Sequence, residues 1–276
     1  VQEQAHKNSD PRSVVSKEST DKGRKTGPAM NKTDISVKIL IVGDVHGEWG
    51  KLSKLINRHR PDMVLSCGDF GYWPKWKGSR SYLLRNRDVP IHFCDGNHED
   101  HESLRQVGED GRAPGMENVF YRRRGTTLVL PDGRTVLFMG GADSIDKKYR
   151  TPGYDWFPEE TIKQSDIGAL PDCRVDIVIS HTCPSDLLPY MLEVDTRKTN
   201  DPSNAALSIV LAKYQPGLWY FGHWHTSLMG RTGNTEWRAL NMAADTGWWE
   251  WLKPGPGKRL SLETEEDFNH NLPKVL

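Results

Sequence analysis

Short, almost unbroken apolar runs recur along the chain at 37–42, 63–67, 89–94, 126–130, 135–139, 175–180, 217–221 and 237–242. All are of strand length, and several leave no polar position, the pattern of a strand buried on both faces rather than one. Helix-patterned segments lie between them. In 49–59, Trp49, Leu52, Leu55 and Ile56 fall on one helical face, and 203–214 reads as a second helix with Ser203 as its N-cap. The stretch "LPDGRT" between the runs 126–130 and 135–139 places Asp-Gly at the centre of a hairpin turn. βαβ units combined with an antiparallel ribbon imply a layered α/β fold, with either one mixed sheet or two sheets packed together. No internal repeat is present.

Outside this patterned region the composition changes. Residues 1–35 are rich in Lys, Ser, Asp, Thr and Gln and lack apolar periodicity, so a disordered N-terminal tail is expected there. Met30, just ahead of the first run, suggests that 1–29 are an upstream extension. From Lys253 to Leu276 the chain is again broken by Pro and Gly and reads as a C-terminal tail or strap, which leaves 36–252 as the working domain. With 37 basic and 37 acidic residues there is no net field to draw the protein to nucleic acid or an anionic membrane. No apolar stretch reaches the roughly 20 residues of a membrane span, and no signal-type region is seen. Cys67, Cys94, Cys173 and Cys183 form no C-x-x-C pair and are read as reduced core thiols of a cytoplasmic protein.

The chemistry gathers where five of the apolar runs end. Asp44-Val45-His46 follows the first, Gly68-Asp69 the second and Gly96-Asn97-His98-Glu99 the third; His181 follows 175–180, and Gly222-His223-Trp224-His225 follows 217–221. In open α/β sheets, functional residues collect in the loops beyond the carboxyl ends of strands. Taken singly, each has an ordinary explanation: a turn aspartate, a helix cap, a hydrogen-bonded structural histidine. Five of the ten histidines sitting at strand exits is harder to explain that way. Carboxylate, imidazole and amide oxygen without thiolate suit borderline-to-hard ions such as Mn²⁺, Fe or Zn²⁺ and do not match a thiolate-rich structural zinc site. Seven candidates, Asp44, His46, Asp69, Asn97, His181, His223 and His225, are too many for one tetrahedral ion and about right for two ions sharing a carboxylate.

In this order, Asp44-x-His46, Gly68-Asp69, Gly96-Asn97-His98-Glu99, His181 and Gly222-His223-x-His225 resemble the calcineurin-like metallophosphoesterases over roughly residues 37–245. The resemblance implies a four-layer α/β sandwich with two packed mixed sheets flanked by helices, and a dinuclear metal centre. It assigns Asp44, His46, Asp69 and His225 to one ion and Asp69, Asn97, His181 and His223 to the other, with Asp69 bridging. It also implies hydrolysis of phosphate esters by a hydroxide shared between two divalent ions, Mn²⁺ foremost, with His98 as the general acid that protonates the leaving oxygen. A phosphate-contacting role is the alternative for His98. The "GDVHG" and "GNHE" blocks are similar to the serine/threonine phosphatase and diadenosine-tetraphosphatase branch. That branch continues its second motif as Gly-Asp-x-Val-Asp-Arg-Gly, where this chain has "CGDFGYWPKWKG". The aspartate that partners the acid histidine and the arginine that grips phosphate are absent from these positions, so Glu99 or a distant carboxylate is expected to orient His98.

Several residues are candidates for substrate contact. Tyr72, Trp73 and Trp76, with Lys75 and Lys77, follow Asp69 and are suited either to stacking a base or aryl group or to closing an apolar lid. Arg150, within "GGADSIDKKYRTPGYDWFPEE", is either a phosphate grip or an ordinary ion-pair residue. "YRRRG" at 121–125 reads as a solvated strand edge. The substrate class is a phosphate ester, a nucleotide included. A phosphodiesterase or nuclease on the same centre is the competing activity, and a non-catalytic scaffold of the same fold is the competing class.

Overall fold

The computed structural model describes residues 37–76 and 84–255. Its strands are β1 Ile39–Val42, β2 Met63–Ser66, β3 Ile91–Phe93, β4 Val119–Tyr121, β5 Thr127–Val129, β6 Thr135–Met139, β7 Ile177–Ser180, β8 Leu218–Phe221, β9 Leu228–Thr232, β10 Thr235–Ala239 and β11 Trp249–Trp251. The helices are α1 Trp49–His59, α2 His101–Arg105, α3 Gln164–Gly168, α4 Leu188–Met191 and α5 Pro202–Tyr214. One sheet has five strands in the order β11-β1-β2-β3-β4, and the other has six in the order β5-β6-β7-β8-β10-β9. Both are mixed. Parallel ladders run from β1 to β4 and from β6 through β7 and β8 to β10, while β11, β5 and β9 pair antiparallel to their neighbours.

The alternation of side chains along each strand explains why the runs are apolar throughout. In β1, Ile39 and Ile41 join Leu65, Cys67, Val136, Phe138, Ile177, Ile179 and Tyr220 in a layer contributed by both sheets. Leu40 and Val42 point the other way, into a cluster with Trp49, Leu52 and Ile56 of α1. On the far side, Val178, Trp219 and Phe221 pack with Leu207 and Val210 of α5. The result is an α/β sandwich of two mixed sheets flanked by helices, with every central strand buried on two faces.

The structure departs from the sequence pattern in identifiable places. β4, β9 and β11 were not expected. β4 and β11 are three residues long, and β9 is an edge strand whose Leu228 and Met229 face outward, so none offers a strong period-2 signal. Helix α5 is capped by Asp201 rather than Ser203: Pro202 occupies the first turn, and the Asp201 carboxylate accepts from Ser203 N at 2.8 Å. The Ser203 hydroxyl instead accepts from Ile162 N at 3.1 Å. The "YRRRG" segment is a solvated edge only in part: Tyr121 ends the edge strand β4 and Arg123 is exposed, but Arg122 and Arg124 turn inward. Arg124 is buried in an ion pair with Asp95, and Arg122 Nε donates to His92 Nδ1 at 3.0 Å. Among the described residues no helix is long and apolar enough to cross a membrane. Cys67, Cys94 and Cys183 are buried and Cys173 is exposed, all four unpaired. The tails expected at 1–35 and beyond residue 255, and Lys77, lie outside the described residues.

Candidate metal centre

Parallel strands bring their carboxyl ends to one side of a sheet, so the exits of β1, β2, β3, β7 and β8 converge. The backbone bends sharply to make the turns. His46, Asp69, His223 and His225 hold φ values of 48°, 43°, 65° and 47°, in the left-handed region that non-glycine residues avoid at about 1–2 kcal/mol each. Backbone hydrogen bonds fix the loops on one another: His46 N donates to Asp69 O at 2.7 Å, and Gly222 N to His181 O at 2.9 Å. A Cβ on Gly96 would sit 2.1 Å from Asp69 Oδ1, and one on Gly222 would sit 1.9 Å from Asp44 Oδ1. Gly222→Ala is therefore expected to displace the Asp44 carboxylate and weaken metal uptake by at least about 10-fold, with the fold retained. Metal titration beside a circular dichroism spectrum checks this, and unchanged uptake would show that Asp44 is dispensable.

Asp44, His46, Asp69 and His225 each present a ligand atom, all within 4.8 Å of one another. His225 Nε2 lies 3.0 Å from Asp44 Oδ2 and 3.2 Å from His46 Nε2, which in turn is 3.7 Å from Asp69 Oδ2. The other oxygen of Asp69 faces a different set. Asp69 Oδ1 is 3.4 Å from His181 Nε2, and that nitrogen is 3.1 Å from Asn97 Oδ1. His181 Nδ1 lies 2.9 Å from the Cys67 carbonyl and donates to it, so a neutral His181 presents a lone pair at Nε2. The amide nitrogen of Asn97 is engaged elsewhere, donating to Ser144 Oγ at 3.1 Å. Two lone pairs therefore meet at close range beside a carboxylate, which a proton or a cation would satisfy. His223 Nε2, buried, has no hydrogen-bond partner, while His223 N donates to Asp44 Oδ1 at 3.0 Å. Asp69 thus faces a separate group of potential ligand atoms through each of its two oxygens, and the donor types present fit divalent metal.

The electrostatics agree. Burial alone would raise the Asp69 carboxyl, but His181, His98 and His46 together hold it well below the usual carboxylate range. Burial would likewise depress His181, yet Asp69, hydrogen-bonded to it, and Asp44 push it up to about 10. His223, among buried neighbours and near the cations His181 and Lys198, is driven well below an ordinary histidine. Opposed shifts on neighbouring imidazoles beside a depressed carboxylate are the pattern common at functional sites.

His98 borders this group, its ring edge-on to His46 at 5.3 Å between centroids and its backbone N–H donating to Asp69 Oδ1 at 2.8 Å. Glu99 does not orient it. That carboxylate is fully buried and turns back to accept from Gly96 N at 2.7 Å and Gly71 N at 3.1 Å, holding the loops after β2 and β3 together. The imidazole instead faces Arg150, whose Nη2 is 2.9 Å from His98 Nε2 and 3.1 Å from Nδ1. Arg150 is only 8% exposed and is itself held by Asp146 at 2.9 Å. Burial, with Arg150 and His46 adding to it, lowers the His98 pKa. Trp73 is half-buried, its Nε1 donating to His98 O at 2.8 Å. Tyr72 is buried, with its ring in the core near Phe93 and its hydroxyl 3.5 Å from Pro114 O. Trp76, 61% exposed, lies on the same loop, and Lys75 pairs with Glu102.

Three residues at the site carried no sequence signal. Ser144 and Glu160 are fully buried behind Asn97, and Lys198, from the turn before α5, donates its ammonium to His223 O. Serine and glutamate in a loop are too common to stand out, although both fall within the 140–160 stretch singled out for Arg150. Burial pushes the Glu160 carboxyl up to about 7.

Residues 37–227, more than half of the chain, match a family model described as calcineurin-like phosphoesterase. No curated protein matches the sequence. Among solved structures the chain is similar to a phosphopantetheinyl hydrolase from Mycobacterium tuberculosis, at 12% identity and a TM-score of 0.45, over 82% of this chain and 100% of that one. It is also similar to an archaeal phosphodiesterase, at 11% identity and a TM-score of 0.38, over 78% and 98% of the two chains. A protein serine/threonine phosphatase from Saccharomyces cerevisiae is similar at 14% identity and a TM-score of 0.31, over 76% and 69%.

Proposed function

The chain belongs to the calcineurin-like phosphoesterase family and is a hydrolase acting on phosphate esters, and from that premise we propose a phosphomonoesterase dependent on two divalent metal ions. The observation that carries this reading is the placement of Asp69, with one oxygen toward His46 and the other toward His181. Asp44, His46, Asp69 and His225 would hold one ion, and Asp69, Asn97, His181 and His223 the other. Mn²⁺ is the proposed metal, with Fe or Zn²⁺ compatible with the same donors. When bound, the ions supply positive charge to the phosphate oxygens and acidify water.

The chain's own residues do the rest. Asn97 contributes an amide oxygen without adding negative charge, which keeps the site attractive to a phosphate anion. Arg150, braced by Asp146, offers its guanidinium beside His98, where the extra charge of a monoester is best met. This favours a monoester over a diester. Burial, with Arg150 beside it, lowers the His98 pKa in the free protein. A phosphate anion beside them reverses the local field and lets the imidazole carry the proton that the leaving oxygen needs. The unpaired cysteines accord with a reducing, cytoplasmic setting.

His98→Ala is expected to retain metal but lose about 10²–10⁴-fold in turnover on an alkyl phosphate, with a smaller loss on an activated aryl phosphate whose leaving group needs no proton. Equal losses on both would assign His98 to phosphate contact alone. The proposal as a whole is tested by metal analysis of the purified protein, followed by hydrolysis of a panel of mono- and diesters after Mn²⁺ loading. Activity on a bis-aryl phosphate but not on the mono-aryl ester would make it a phosphodiesterase; no metal and no activity would reject the reading.

A further inference from the structure

Behind Asn97 lies a chain of buried polar groups whose donor and acceptor roles are set once Glu160 is ionised. Glu160 is 1% exposed, and its Oε1 accepts from Phe157 N at 3.1 Å. Its Oε2 accepts from the hydroxyl of Ser144, which is completely buried. A serine hydroxyl has one proton; once that proton is given to Glu160, Ser144 Oγ can only accept from its other neighbour. That neighbour is Asn97 Nδ2, at 3.1 Å. The amide is thereby locked with its nitrogen toward Ser144 and its oxygen toward His181.

We propose that Ser144 and Glu160 are positioning residues that set the polarity of the Asn97 amide, so that its oxygen and not its NH₂ faces the metal pair. Both are buried, and they act through Asn97 rather than as metal ligands. Without the relay the amide can rotate by 180° at little steric cost, and the rotated form presents two N–H donors where a cation must bind. Fixing the outer partners of a ligand is worth about 10–100-fold in metal affinity. The inference rests on the two-ion reading above, and it concerns only the ion on the Asn97 side.

Isosteric replacement of Glu160 separates this role from simple packing. In Glu160→Gln the side-chain oxygen is claimed by Phe157 N, which leaves the new NH₂ facing Ser144. Ser144 Oγ must then accept from that NH₂ and donate its own proton to Asn97, which reverses the relay. Removal of Ser144 in the double variant breaks the chain through which the new amide acts.

The test is calorimetric titration of metal-stripped full-length protein with Mn²⁺ at pH 8, where Glu160 is ionised. Wild type is expected to bind two ions, and Ser144→Ala to weaken one of them about 10–100-fold while the other is unchanged. Glu160→Gln should lose at least as much at the same site, and Ser144→Ala with Glu160→Gln no more than Ser144→Ala alone. Ser144→Thr, which keeps the hydroxyl, should recover the affinity. Wild-type affinity at both sites in Glu160→Gln and Ser144→Ala would overturn the proposal. If Ser144→Ala fails to fold, the isosteric Glu160→Gln decides by itself. Wild-type protein that takes up no Mn²⁺ would overturn the two-ion reading and this inference with it, whereas two ions in wild type with indifferent variants would overturn the relay alone.

Discussion

Asp69→Asn should abolish binding of two ions together and cut phosphate-ester turnover by at least ~10³-fold, equivalent to about 4 kcal/mol of transition-state stabilisation. The substitution keeps the shape of the side chain and removes its charge. Asp69 is 1% exposed and faces His46 through one oxygen and His181 through the other. An amide offers one oxygen and one NH₂, so it can serve one of those two directions and opposes a cation in the other. The amide oxygen can still accept from the His98 backbone N–H that donates to Asp69 Oδ1, so the β2 and β3 exits should stay connected. The measurement is metal stoichiometry and turnover, with a thermal melt to show that the variant is folded. Two ions and near-normal turnover in Asp69→Asn would mean that Asp69 does not bridge.

The second large effect is expected at a residue outside the motifs themselves. Arg124→Met should destabilise the protein by about 3–5 kcal/mol, because it leaves a buried carboxylate without its cation. Arg124 Nε and Nη2 donate to Asp95, which is completely buried and also accepts from Tyr121 Oη at 3.0 Å. Its remaining N–H groups serve the carbonyls of Thr161 at 2.7 Å, Glu159 at 2.7 Å and Glu160 at 3.1 Å, with Asp166 at 3.2 Å. Arg124 thus ties the exit of β3, from which Asn97 projects, to the segment that carries Glu160. Methionine retains the apolar stem, so urea denaturation of Arg124→Met reports the lost charge and hydrogen bonds. A loss below about 1 kcal/mol would place the pair with exposed ion pairs.

The same pair has a pH signature. Burial would raise the Asp95 carboxyl, but Arg124 foremost, with His101 and Tyr121, keeps it below the ordinary 3.8. A depressed folded-state pKa contributes stability that is complete above the unfolded value and is lost as the pH falls through the folded one. In Arg124→Met that acid-side loss should therefore be smaller than in wild type.

The sequence by itself determined the strands of both sheet interiors, helix α1 to the residue, and the five exits that hold Asp44, His46, Asp69, Asn97, His181, His223 and His225. It could do so because these features are written locally: apolar runs buried on two faces are continuous, a helical face repeats every three or four residues, and parallel strands carry their exits to one edge whatever their order. Only the tertiary structure decided the rest. The order β11-β1-β2-β3-β4, the burial of Tyr72 beneath the site, the turn of Glu99 away from His98, the pairing of Arg124 with Asp95 and the relay from Glu160 through Ser144 to Asn97 all join residues that no local period relates. A polar side chain in a loop reads as solvated until the packed sheets show which carbonyl, carboxylate or imidazole it meets. Burial then removes water as the alternative partner, and each such group takes its role from its neighbours in space.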